Sequence, residues 1–213
     1  MQEIVLLEKL FEYICAEQKT KDKKMADIEK LVPFILKWET GARQKKGETA
    51  QELFERSRAR GFSNDAADLG GATQSGVTLA AYRSYKGNLK LTADDLKKIT
   101  WEDWLGLLRK DYWNRWQADK IQSQSIADML VDWVWASGSY GITRVQKLLG
   151  VKVDGIVGKV TLQALNSRSP LPLWAAIRKD RLRFIDEICN ARPANRKFRQ
   201  GWLNRINDLK YSE

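Results

Sequence analysis

The chain has 213 residues, 43% of them hydrophobic, with nine tryptophans, two cysteines and no histidine. That length and apolar content exclude a disordered chain, and no apolar run approaches the roughly 20 residues needed to span a bilayer. The missing histidine excludes Ser-His-Asp and Cys-His catalysis and imidazole metal ligands, and the net charge of +10 points to a polyanionic partner.

In chain order, residues 2–17 have the pattern of a short amphipathic helix, and KTKDKK at 19–24 has that of a linker. Residues 1–24 are therefore expected to be an appendage to a domain starting at Met25. The N-terminal stretch carries Glu3, Glu8 and Lys9 within its apolar segment and lacks a small-residue cleavage site, so a Sec signal is not expected there. Ile28, Leu31, Val32 and Ile35 then repeat at helical spacing, with Pro33 either in the first turn or at a kink. Gly47–Arg60 has a helical pattern anchored by Leu53 and Phe54. The segment GFSNDAADLGGATQSGVT, 61–78, has loop chemistry with room for a short hairpin.

Thr92 with Asp95 and Thr100 with Asp103 each resemble a capping box. The second opens a helix bearing Trp101, Trp104, Leu105, Leu108, Tyr112 and Trp116. Another helix is expected over 125–136, with Ile126, Met129, Leu130 and Trp133 buried, and Gly138 and Gly141 punctuating its end. Residues 142–166 pattern as helix, glycine-rich turn and helix. From Leu171 onward two helices are broken at Arg192-Pro193. The architecture is mainly α, with a small loop or hairpin region at 61–78.

Glu39 stands out. It follows Ile28, Leu31, Val32 and Ile35 on one stripe, about 20° from Ile28 around the helix axis. A carboxyl at a helix C-terminus among apolar side chains is disfavoured as an anion, which is the setting of a general acid. Glu39 is thus expected to hold a proton near neutral pH, with Gly41 turning the chain away to open a cleft. Without histidine, carboxylates are the natural acid–base groups, and neither a cofactor nor a metal is expected. A phosphate-binding loop is excluded, since no Gly-Lys-Ser/Thr sequence follows a strand.

Six segments together resemble a known family. WETG at 38–41, NDAADLGGATQSGVT at 64–78 and YW at 112–113 are similar to glycoside hydrolase family 108, lysozyme-like N-acetylmuramidases. VDWVWASG at 131–138, VDGIVGKVTLQALN at 153–166 and FRQGWLNRI at 198–206 resemble the peptidoglycan-binding domain that follows it. The resemblance implies a lysozyme-like helical fold, with a catalytic part at 25–117 and a peptidoglycan-binding part at 118–213, packed as one body. It implies hydrolysis of the β-1,4 bond between N-acetylmuramic acid and N-acetylglucosamine, with the family's glutamate falling on Glu39. Thr40 and Ala42 depart from the family's Gly-Gly-Tyr, as do Ala67 and Leu69 around Asp68.

Asp68 is the candidate second catalytic group and Thr78 a candidate water-positioning hydroxyl. Trp38, Thr73, Gln74 and Trp113 are candidate substrate contacts, and Trp135 is a further ring able to stack on sugar. The expected partner is the peptidoglycan glycan strand, met by a monomer at the periplasmic or cell-wall face. A holin or secretion apparatus would carry it there after cytoplasmic synthesis, as for a phage or prophage endolysin. The C-terminal basic run, eleven Lys/Arg against four Asp/Glu between Arg168 and Lys210, suits an anionic wall. The alternatives are a non-catalytic peptidoglycan-binding protein and a basic helical nucleic-acid binder, the latter disfavoured because the basic residues alternate with apolar ones. Cys15 and Cys189 are expected as free thiols.

Overall fold

Asp27 accepts a hydrogen bond from the Glu29 N–H at 3.0 Å and so opens α1, Ile28–Thr40. The computed structural model describes residues 25–64 and 71–212, so the readings on 1–24 and Asp68 lie outside the described residues. α1 buries the expected stripe of Ile28, Leu31, Val32, Ile35 and Leu36, with Pro33 in its second turn. Gly41 ends it at φ +73°, its N–H bonding the Lys37 carbonyl at 3.0 Å.

α2, Ala50–Arg58, starts with a reciprocal capping box between Thr49 and Glu52 and buries Leu53 and Phe54 against α1. Three two-residue strands follow: β1, Phe62–Ser63; β2, Thr73–Gln74; β3, Val77–Thr78. They pair antiparallel in the order β1-β2-β3, with Phe62 opposite Gln74 and Thr73 opposite Thr78. Ser75 and Gly76 join β2 to β3 with positive φ at both positions, as a tight hairpin turn of matching twist requires.

Thr78 caps α3, Leu79–Lys86. Thr92 and Asp95 form the expected capping box on α4, Ala93–Lys97. The second expected box is only half present. Thr100 accepts from the Asp103 N–H to open α5, Trp101–Leu108, but the Asp103 carboxylate turns instead to the Tyr82 hydroxyl and the Lys86 ammonium, each at 3.0 Å. A charged and a hydroxyl donor from α3 outcompete a backbone N–H. α5 runs into a π-turn at Arg109–Trp113 and a 3-10 turn at Ala118–Lys120.

α6, Gln124–Ser137, is the axis of the fold. It is buried nearly all round, with Ile126, Ala127, Met129, Leu130, Val131, Trp133 and Val134 in the core, as befits a helix packed on several sides. α1, the π-turn and the later helices α7, Tyr140–Leu149, and α9, Pro170–Ala191, pack on it. Gly138 closes α6, whereas Gly141, expected to punctuate the same end, lies in the first turn of α7. A Cβ there would meet backbone atoms of Val134 and Trp133 at 2.8 and 2.9 Å, so glycine allows the two helices to touch.

α8, Lys159–Asn166, follows the glycine-rich turn, and α10, Arg196–Asp208, completes the ten α-helices of the described residues. One apolar core runs from Ala26 to Leu209 without a break at residue 118. Cys189 is a buried free thiol, and no helix among the described residues is long and apolar enough to cross a membrane.

Candidate active site

Glu39 sits in the last turn of α1 with its side chain 20% exposed. Thr40 locks that turn, donating to the Leu36 carbonyl at 2.7 Å and accepting from the Ala42 N–H at 3.2 Å. Above the carboxyl lies the turn of the β2–β3 hairpin. The Ser75 carbonyl accepts from the Trp104 indole at 3.1 Å and the Ser75 N–H bonds the Gly61 carbonyl at 2.8 Å, which holds the turn down. A Cβ at Gly76 would lie 2.8 Å from Glu39 Cδ and 2.6 Å from a Trp135 ring carbon. Glycine is therefore required twice, by the positive φ and by contact with the carboxyl.

Two donors converge on one oxygen of Glu39. The Trp135 indole N–H bonds Oε1 at 2.9 Å, and Arg205 Nη1 bonds the same oxygen at 2.8 Å. The lone carboxyl among apolar side chains that the sequence suggested is instead one half of an ion pair. Tyr112 packs on Trp135 at a ring-centroid distance of 4.6 Å. Burial, then the neighbouring charges of Asp111 and Glu39, pushes its phenol above the usual range. Behind Arg205 lies Asp132, fully buried between two guanidiniums. Burial alone would raise its carboxyl, but Arg181 and Arg205 hold it below the ordinary value.

The sequence model described as "Glycosyl hydrolase 108" matches residues 32–138, which takes in Glu39, the hairpin, Tyr112 and Trp135. That is half of the chain.

The chain belongs to glycosyl hydrolase family 108.

A second model, described as "Predicted Peptidoglycan domain", matches residues 140–207 and includes Arg181 and Arg205. Among solved structures the chain is similar to SagA of Brucella abortus, at 25% identity and a TM-score of 0.60 over 70% of this chain and 82% of that one. No curated protein matches. The family and the C-terminal segment together make this chain a peptidoglycan hydrolase of mainly α, lysozyme-like fold.

The structure brings some sequence-derived candidates of this family 108 chain together and sets others apart. Thr73 and Thr78 are paired across β2 and β3, directly beside the turn that touches Glu39. Thr78 Oγ1 already accepts from the Ala81 N–H at 3.1 Å, so its hydroxyl proton is what it has to offer. Gln74 and Trp113 have no exposed surface, which corrects their assignment as substrate contacts. The Gln74 amide donates to the Arg58 carbonyl at 2.6 Å, and the Trp113 indole donates to Asp119 at 2.8 Å. Trp38 is half-buried and bonded to Asp208 at 2.9 Å, beside the Lys37–Asp208 ion pair. Trp133, read as core, is core.

Arg205, Asp132 and Gly76 gave no local signal of a site role of their own, although all three lie inside the family-like segments FRQGWLNRI, VDWVWASG and NDAADLGGATQSGVT. Two cavities, of about 710 and 940 Å³, lie along α7 and α9 and beside α8, and neither is lined by Glu39.

Proposed function

We propose that this peptidoglycan hydrolase is an N-acetylmuramidase, cleaving the β-1,4 bond between N-acetylmuramic acid and N-acetylglucosamine with Glu39 as general acid. The observation that carries the reading is the double anchoring of Glu39 Oε1 by Trp135 and Arg205, in the segment matched by the family. Among the described residues both bonds fall on Oε1, which fixes the carboxyl plane and leaves Oε2 as the oxygen to carry a proton to the glycosidic bond.

Asp132 is not the second carboxyl of this reaction, since it has no exposed surface and is held by two arginines. Asp68, in the segment that resembles the family's Asp motif, is the second group on this reading, and Thr78 positions water beside the hairpin. Its place of action is the peptidoglycan of the cell wall or periplasm, reached through a holin or a dedicated export apparatus.

Mass spectrometry of muropeptides after digestion tests the proposal. A muramidase leaves N-acetylmuramic acid at the reducing end. A reducing-end N-acetylglucosamine refutes the bond assignment, and wall binding without released fragments supports a non-catalytic binder instead.

A further inference from the structure

Arg205 belongs to α10, in the segment matched as a peptidoglycan domain, yet it reaches a carboxylate 166 residues earlier in the chain. We propose that Arg205 is a positioning residue for Glu39, set in place by a buried Asp132–Arg181 pair, so that the C-terminal segment completes the catalytic site as well as meeting the wall. The inference rests on Glu39 being the proton donor.

The geometry leaves Arg205 little choice of position. Its Nε and Nη2 both donate to Asp132 Oδ1, at 3.0 and 2.8 Å. A guanidinium is planar, so fixing that edge fixes the direction of Nη1, which meets Glu39 Oε1 at 2.8 Å. Asp132 is in turn held through Oδ2 by Arg181 Nη2 at 2.6 Å. Asp132 has no exposed surface and Arg181 is 2% exposed. Arg181 is steadied by the Met129 carbonyl at 3.4 Å and faces the Trp133 ring at 5.9 Å, and the Arg205 guanidinium lies 5.8 Å from the Phe34 ring of α1.

Charges thus alternate from Glu39 through Arg205 and Asp132 to Arg181, across α1, α10, α6 and α9. Burying such a chain costs desolvation that apolar side chains of similar size would avoid. A fold seeking only stability has a simpler solution.

The chemistry that uses this arrangement is the proton transfer itself. As the Glu39 O–H bond breaks, an O–H bond forms on the departing sugar oxygen, and negative charge develops on the Glu39 carboxylate. Two donors already aimed at Oε1 stabilise that charge without having to reorient. Among the described residues, the charged and titratable groups around Glu39 are Arg205 from α10, Asp132 behind it on α6, and Tyr112 from the π-turn.

The test compares Arg205→Gln, Arg205→Lys and Glu39→Gln in the full chain. It reads kcat and KM for fragment release from purified peptidoglycan across pH, with thermal unfolding measured in parallel. Arg205→Gln should lower kcat by about 10²-fold with KM little changed, as loss of a transition-state donor does. Arg205→Lys keeps the charge but cannot make the fork, so it should restore only part of kcat.

A folded Arg205→Gln with wild-type kcat, beside an inactive Glu39→Gln, overturns the inference while leaving the muramidase reading intact. If Arg205→Gln does not fold, Arg205→Lys decides, and wild-type kcat in it overturns the inference. An active Glu39→Gln removes the muramidase mechanism itself.

Discussion

Glu39→Gln removes the group that can carry a proton in one form and a negative charge in the other, while keeping the shape of the side chain. The amide oxygen can still accept from Trp135 and Arg205, now at 2.9 and 2.8 Å, and Arg205 keeps both bonds to Asp132. A hydrogen bond to a charged partner contributes about 1.5–3 kcal/mol and a neutral one about 0.5–1.5, so the variant should lose about 1 kcal/mol. For a chain of this size that is a fall in thermal midpoint of about 2–4 °C.

Loss of general-acid catalysis should lower the lytic rate by about 10²–10⁴-fold. Clearing of purified cell wall, with muropeptides quantified by mass, measures the rate, and calorimetry measures the midpoint. Near-normal lysis would refute the assignment of Glu39. A fall in midpoint beyond about 10 °C accompanying the lost activity would instead make Glu39 a structural tie between α1, α6 and α10.

Gly76→Ala places a methyl against Glu39 and Trp135 at a backbone angle of φ +82°, so it should lose about 10²-fold in lysis through a displaced carboxyl, read in the same clearing assay. Asp128 is half-buried, accepts from Gln124, and burial raises its carboxyl from 3.8 to about 7. The folded state therefore binds more protons than the unfolded one between those values, and Asp128 makes stability fall as pH rises from about 4 to about 7. Asp128→Asn should flatten that slope and raise the midpoint at pH above about 7, by less than the limiting ~1.4 kcal/mol per pH unit because part of the group meets solvent; an unchanged slope refutes the assignment. Replacing the exposed Arg196 and Lys197 with Glu should weaken binding to whole wall at low salt and leave cleavage of a short neutral glycan unchanged, with equal loss on both counting against a wall-facing role.

What the sequence determined by itself is what acts within a few turns of chain. The stripe from Ile28 to Ile35, the anchors Leu53 and Phe54, the Thr92–Asp95 box and the buried face of α6 follow from periodicity and capping, because those forces act between neighbours along a helix. The position of Glu39 on the apolar stripe was legible for the same reason. Its surroundings were not. Arg205 and Trp135 reach it from 166 and 96 residues away, and although both lie inside family-like segments, nothing in their local sequence says that they meet at Glu39. Trp113 and Trp135 lie on the same body with the same side chain, yet one is sealed against Asp119 and the other faces the carboxyl. Only tertiary packing decides which ring is core and which is site, because an aromatic side chain suits either place and the difference lies in what the other helices leave uncovered.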